Sequence, residues 1–516
     1  MLDNLALGFS AVAHLPVLAA IFAGVLIGIL CGVLPGLSAS TAVALMVPFT
    51  FGMDPVVAVL LLVSVYMAGE YGGSITAIAI GTPGTPAAAA TMLDGYELTK
   101  QGKPGLALTT SVVASSIGGM VGVMALFAFS EPLARVALSF GAPEYFSLAV
   151  FGLTIIASLS SKNLLKGFLI LFLGLLLTTI GLDGFTGEDR FTFGIPKLMD
   201  GISIIPALIG LFAMSSVFYG AEDELRRSER VSLSFAMPRL RELLRLWKVY
   251  LHSSLLGSII GVLPGAGATI ASFICYNEVR RFSRNKDCFG TGYLAGVAAP
   301  EAGNNAVVGG SLVPLLTLGI PGSATAAVLL GALMLHNVQP GPLLFQTNGE
   351  IVYGIFAGLL VACVAQLFFG LIGVPLWIKV ISAPRPLLLS VIAVVSVVGA
   401  YGYNNSIVDV WVMFGFGLLG YTLKKLDFPV TPIILALVLG GILEENLRRA
   451  LIVSGGDYAI FVTQPISAML LLMAALSLLS PYMLNRLSRP RPEKKNQVIM
   501  PKTCAAADRA GKTNRV

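Results

Sequence analysis

Charge is what this chain has least of. Only 12% of its 516 residues are Asp, Glu, Lys or Arg, against about 25% in soluble domains. A soluble core of this size needs a charged coat that so few residues cannot make. Histidine is nearly missing, at three residues, which leaves little for imidazole-based catalysis. The five cysteines (Cys31, Cys275, Cys288, Cys363, Cys504) are scattered and show no paired spacing. Neither a disulfide framework nor a zinc site is expected from them. No Walker A lysine loop, GxSxG elbow, HExxH helix or CxxC pair occurs, so direct ATP drive and an enzyme are both disfavoured. The opening segment MLDNLALGFSAVAHLP has no basic stretch ahead of its apolar residues and does not read as a cleaved signal peptide.

What is abundant is apolar. Hydrophobic residues make up 56% of the chain, and the mean hydropathy is +0.86. The runs Leu106–Phe129, Leu164–Leu182 and Ile351–Val374 match the roughly 20 residues that a helix needs to cross a bilayer. The fold class is therefore an all-α integral membrane protein. Basic residues cluster at Arg226–Lys248, Arg280–Lys286, Lys424–Lys425 and Arg486–Lys495, and net charge is +6. Beside apolar spans such clusters mark cytoplasmic loops rather than a nucleic-acid surface.

The chain repeats itself. GVLPG at Gly32–Gly36 returns at Gly261–Gly265, and GTPGTP at Gly81–Pro86 is answered by GIPGSA at Gly319–Ala324. Between them, AGEYGGS (Ala68–Ser74) parallels AGNNAVVGGS (Ala302–Ser311). The same motifs in the same order imply a duplication. Residues 1–219 form the first repeat, 220–247 a charged cytoplasmic linker, 248–485 the second repeat, and 486–516 a disordered cytoplasmic tail. Flanking charge is opposite for matching motifs. The first GVLPG has Lys/Arg-free flanks, whereas the second lies between Lys248 and Arg280. GTPGTP is followed by Lys100 and Lys103, and GIPGSA by the Lys/Arg-free stretch His336–Ile378. Opposite flanks imply inverted-topology repeats, a recurrent transporter plan. The Pro-Gly motifs read as tips of four re-entrant helical hairpins, alongside about eleven full spans.

A helix broken at membrane depth bares backbone groups that lipid cannot satisfy. The expected substrate- or ion-binding residues are therefore Pro35, Gly36, Ser38 and Ser40 at the first tip, with Pro83, Gly84 and Thr85 at the second. Pro264, Gly265 and Thr269 take the third tip, and Pro321, Gly322 and Ser323 the fourth. Hydroxyls that only bond the preceding helical turn are the bland alternative for each Ser and Thr. Glu70, Glu301, Asn304 and Asn305 precede the second and fourth tips. Ionisable groups inside a membrane are functional by default, unless they sit at an interface and are solvated. No lysine or arginine lies at mid-membrane, so an anionic substrate would need helix dipoles, amides, hydroxyls and a co-transported cation. No cofactor is expected beyond Na+ as coupling ion, and no metal site.

Three long segments carry a resemblance: GVLPGLSASTAVALMVPFTFGMDP, AGEYGGSITAIAIGTPGTPAAAATMLDGYELTKQGKPGLAL and PEAGNNAVVGGSLVPLLTLGIPGSATAAVLLGALMLHNVQPGP. They resemble the TctA family, the large membrane subunits of tripartite tricarboxylate transporters, from about residue 15 to 480. The resemblance implies a multi-pass protein of the bacterial inner membrane, working with a small membrane subunit and a periplasmic solute-binding protein. It implies import of citrate or a related small carboxylate on a sodium or proton gradient. A single-component anion exchanger or a channel would share the hairpins and dispense with the binding protein. A membrane-embedded enzyme acting on lipid would need an acidic or histidine cluster at one interface.

Overall fold

The computed structural model describes residues 2–34, 37–159, 164–222, 238, 240–373, 376–377 and 385–487. Pro35 and Gly36, most of the expected linker (223–237 and 239) and the tail from 488 onward lie outside the described residues.

The described chain is almost wholly helical. It opens with α1 (Leu2–Val12), α2 (Leu15–Val33), α3 (Ala39–Met46), α4 (Pro55–Ile80), α5 (Ala88–Lys100) and α6 (Pro104–Ala137). After α7 (Ala142–Leu159) and α8 (Leu164–Thr178), a small antiparallel ladder pairs β1 (Gly181–Leu182) with β2 (Asp189–Arg190). Then α9 (Ile204–Ile209) continues through a π turn into α10 (Ser215–Glu222). The second half holds α11 (Leu240–Leu244), α12 (Trp247–Val262), α13 (Gly267–Phe282), α14 (Leu294–Leu318), α15 (Ala324–Leu335), α16 (Leu344–Thr347) and α17 (Gly349–Ile372). It closes with α18 (Arg385–Asn404), α19 (Ile407–Lys425), α20 (Thr431–Val453), α21 (Ile460–Thr463) and α22 (Pro465–Leu487).

Local chemistry sets the helix ends. Ser38 caps α3 by accepting the Thr41 N–H at 3.2 Å. Asp54 caps α4 by accepting from Val56 at 2.9 Å, with Pro55 at the first turn. Gly81 and Gly319, at φ +66° and +71°, end α4 and α14 in the left-handed conformation that glycine adopts without strain.

Two helices form the axis of the packing. Nearly every residue of α4 and α14 is buried. α4 is enclosed by α2, α5, α6 and α17, and α14 by α6, α12 and α13. Small residues allow this. A Cβ on Gly28 or Gly32 of α2 would come 2.6 Å from the Val65 or Gly69 carbonyl of α4, the close backbone approach that membrane helices use in place of a hydrophobic drive.

Among the described residues, seven helices are long and apolar enough to cross a membrane: α2, α4, α6, the α9–α10 run, α17, α18 and α19. That is fewer than the about eleven full spans expected. Shorter apolar helices include α8, at 15 residues, and α15, at 12. The hairpins also differ from the expected pattern of two short arms. α12 and α13 fit it, at 16 residues each, or about 24 Å of helix. The second and fourth breaks instead join a membrane-length helix to a short one: α4 has 26 residues and α5 has 13, while α14 has 25 and α15 has 12. Arg135, Arg190, Lys197, Arg448 and Arg449 would lie on the outer side and suit the expected sidedness less well. The four arginines face carboxylates, respectively of Glu131, Glu444, Asp183 and Glu445.

Candidate functional site

The four helix breaks meet. At the first, Ser38 Oγ lies 2.7 Å from Ser40 Oγ and 2.9 Å from Thr41 Oγ1. At the second, the Gly84 N–H donates to the Gly73 carbonyl at 3.1 Å. A Cβ on Gly84 would strike the Gly32 carbonyl, so the first two breaks touch. At the third, the Gly265 N–H donates to the Gly322 carbonyl of the fourth at 3.0 Å. Ser323 caps α15, accepting from the Ala326 N–H at 3.1 Å. Ala87, just past the second break, packs in one cluster with Ala266 and Ala268 of the third.

Beside the breaks, α4 and α14 cross through polar side chains. Asn304 Nδ2 donates to the Glu70 carbonyl at 3.1 Å, and Asn305 Nδ2 to the Met67 carbonyl at 3.1 Å and Gln366 Oε1 at 3.4 Å. The Tyr66 hydroxyl lies 2.7 Å from Ser323 Oγ and 3.0 Å from Ser311 Oγ. Glu301 is fully buried and accepts from Thr91 at 2.5 Å, Ser115 at 2.7 Å and Ser111 at 3.2 Å. Glu70 is 7% exposed. Both acids are thus inside the protein, not solvated at an interface.

Among the described residues, no ion pair involves Glu70 or Glu301. Hydroxyl donors stand where a lysine or arginine would otherwise compensate Glu301. A buried carboxyl without a cationic partner is costly when charged, so the arrangement suits a group that takes up a proton or a cation. Among the described residues, several buried polar atoms here have no hydrogen-bond partner: Thr85 Oγ1, Asn304 Oδ1, Asn305 Oδ1, Gln366 Nε2 and the Tyr71 hydroxyl. Buried polar atoms are nearly always satisfied, so this concentration of exceptions makes the place a candidate ligand site.

Most expected residues converge here. Ser40, Glu70, Thr85, Pro264, Glu301, Asn304, Asn305, Pro321, Gly322 and Ser323 are buried, and Ser38, Pro83, Gly84 and Gly265 stand at the breaks themselves. Pro35 and Gly36 lie outside the described residues. Thr269 differs from these in being exposed, on α13. Ser272 on the same helix bonds the Ala268 carbonyl of its preceding turn at 2.9 Å, the bland role for a helical hydroxyl.

Other participants were missed from sequence. Ser111 and Ser115, one turn apart on α6, gave a faint signal as hydroxyls sharing a face of an apolar helix. Tyr66 and Gln366 gave none, being ordinary members of apolar runs. Asp94 on α5 is fully buried. Its Oδ1 accepts the N–H groups of Gly290, Gly292 and Tyr293 at 2.8–2.9 Å, and its Oδ2 the Tyr276 hydroxyl at 2.9 Å. It thereby satisfies donors at the start of α14 and fixes where that helix begins.

Comparison with known proteins supplies context. The model of the tripartite tricarboxylate transporter TctA family matches residues 18–435. A protein of Agrobacterium vitis, described as an uncharacterized 52.8 kDa protein in the TAR-I ttuC' 3' region, is 38% identical over 472 residues, covering 91% of this chain and 94% of its own. A second from that organism, in the TAR-II ttuC' 3' region, is 40% identical over 215 residues, covering 42% of this chain and 89% of its own. No solved structure matches.

Proposed function

The chain belongs to the TctA family, the membrane component of tripartite tricarboxylate transporters, and from that premise we propose that it is the permease subunit of a binding-protein-dependent secondary transporter. It imports citrate or a related small carboxylate across the bacterial inner membrane, coupled to a sodium or proton gradient. A small membrane subunit and a periplasmic solute-binding protein complete the system.

The observation that carries this reading is the meeting of four helix breaks beside Asn304, Asn305 and a buried acid, Glu301, that has no cationic partner among the described residues. Broken helices offer N–H groups and a positive dipole end to a carboxylate. Amide and carboxylate oxygens offer ligands to a coupling cation. The two motif sets are read as inverted-topology repeats, which place the breaks from opposite faces at one depth. Ser38, Thr85, Asn304 and Asn305 then contact substrate or ion, and Glu70 and Glu301 carry the coupling charge.

Uptake of radiolabelled citrate into proteoliposomes tests this, using the chain together with its small membrane partner. The binding protein is added or withheld outside under an inward sodium or proton gradient. Uptake that needs both the binding protein and a gradient is expected. Uptake indifferent to both would overturn the reading in favour of a channel.

A further inference from the structure

The two pairs of breaks are built alike. A Cβ on Gly322 would strike the Gly261 carbonyl and lie 2.8 Å from Ser311 Cα, and a Cβ on Gly84 would strike the Gly32 carbonyl and lie 2.8 Å from Gly73 Cα. Further along the same helices, Gly257 abuts the Gly303 backbone as Gly28 abuts that of Val65. One constant separation along the chain relates Val65 to Gly303, Gly73 to Ser311 and Gly84 to Gly322. The same separation carries Thr85 onto Ser323 and Tyr66 onto Asn304.

At this last pair the likeness fails. Tyr66 reaches out of α4 and closes the far crossing, with its hydroxyl within hydrogen-bond distance of both Ser311 and Ser323. In the matched place Asn304 is several atoms shorter, and Gly73 has no side chain where Ser311 has a hydroxyl. What remains is an unpaired set: among the described residues Thr85 Oγ1 and Asn304 Oδ1 have no partner, and both residues are nearly fully buried, at 2% and 1% exposure. Rotating the Asn304 amide does not help, because it would turn Oδ1 onto the Glu70 carbonyl that Nδ2 now satisfies.

We infer that the crossing at Thr85 and Asn304 is the one that takes the ligand, and that Tyr66 seals the other by placing its own hydroxyl where a ligand oxygen sits in the first. The group that fits accepts a proton from Thr85 Oγ1 and donates one to Asn304 Oδ1. A hydroxyl or protonated carboxyl of the transported acid does both, as the Tyr66 phenol does between its two serines. This chemical identification rests on the transport reading above; the asymmetry between the crossings does not.

Cysteine accessibility separates the two. Thr85→Cys and Ser323→Cys are made in the full chain, reconstituted in proteoliposomes, and modified by a small water-soluble methanethiosulfonate, with the rate taken over that of the unsubstituted chain. T85C is expected to react at least tenfold faster than S323C. Adding N304Y, which copies Tyr66 into the open crossing, slows T85C at least tenfold, and Y66N raises S323C toward the T85C rate. Equal rates for T85C and S323C, or N304Y leaving T85C unchanged, would overturn the proposal. The T85C to S323C comparison decides if Y66N fails to accumulate. Citrate should slow T85C. If it does not while the tenfold asymmetry holds, citrate is refuted as the occupant of this crossing and the asymmetry stands. Slowing by sodium chloride without any acid would replace the acid's oxygen with a cation.

Discussion

The hydroxyl of Tyr66 lies 2.7 Å from Ser323 Oγ, across 257 residues of chain. That bond joins the middle of one buried helix to the cap of the short helix after the last break. It ties the two halves of the molecule at the point where the broken helices meet, and it makes the core of α4 answerable to events at α15.

Glu301 is expected to be indispensable for coupled uptake. Its carboxyl accepts from Thr91, Ser111 and Ser115 and, among the described residues, pairs with no lysine or arginine, so Glu301→Gln keeps the shape, exchanges one acceptor oxygen for an amide donor and removes the ability to gain and lose charge. Citrate uptake driven by an ion gradient should fall at least tenfold in E301Q, with normal membrane insertion. Uptake at the parent rate with unchanged ion dependence would remove Glu301 from the coupling step.

Asn304→Ala removes an amide that spans α4 and α14 and bares an oxygen to the site. Removing one partner of a buried hydrogen bond costs about 1–3 kcal/mol, which corresponds to roughly fivefold or more in affinity. The apparent KM for the carried acid should rise by that factor, measured in initial-rate uptake. A KM unmoved in N304A would assign the residue to helix packing alone.

Acid stability should depend on Asp183. The Phe185 and Thr186 N–H groups, and then Arg448, hold its carboxyl down to about 2. Arg448 and Arg190 in turn bond Glu444, tying the β1–β2 loop to α20. A carboxyl depressed on folding stabilises the protein above its unfolded value, 3.8, and that contribution is lost as pH falls from about 4 through 2. Asp183→Asn should lower the thermal midpoint at pH 7 and flatten its decline between pH 4 and 2. A D183N melting curve that tracks the parent at every pH would refute the linkage.

Packing of α2 on α4 leaves no room for a branched side chain at Gly28, where a Cβ would already come 2.6 Å from the Val65 carbonyl and 2.9 Å from Ala68 Cβ. Overpacking of this kind costs about 1–3 kcal/mol or more. Gly28→Val should cut the monodisperse yield in size-exclusion chromatography several-fold. Gly415→Ala, where nothing lies within 4 Å of an added Cβ, is the matched control and should be silent.

How much of this was legible beforehand follows from what each signal measures. Composition and hydropathy report transfer from water to lipid, so they identified a membrane protein and, in Leu106–Phe129 and Ile351–Val374, the long helices α6 and α17, whereas the run Leu164–Leu182 holds only the 15-residue α8. They do not report that α14 is enclosed by α6, α12 and α13. A helix with no lipid contact need not be apolar, and it carries Glu301, Asn304 and Asn305 at no solvation cost to the bilayer. Exposure is likewise invisible to composition and hydropathy: Thr269 stands beside a break as Ser323 does, yet the first is exposed and the second buried.

By itself the sequence determined the class of the protein, the order of its paired Pro-Gly motifs and the helix breaks they impose. Those are local consequences of missing N–H groups, left-handed glycines and apolar length, and they need no partner from elsewhere in the chain. Only the tertiary structure decided which breaks touch, which hydroxyls face Glu301, and that Tyr66 is satisfied while Asn304 and Thr85 are not. Each of these depends on the rotation and register of one helix against another. That geometry is set by glycine-lined backbone contacts between segments far apart in the chain, a sum of many small packing terms that no single stretch of sequence contains.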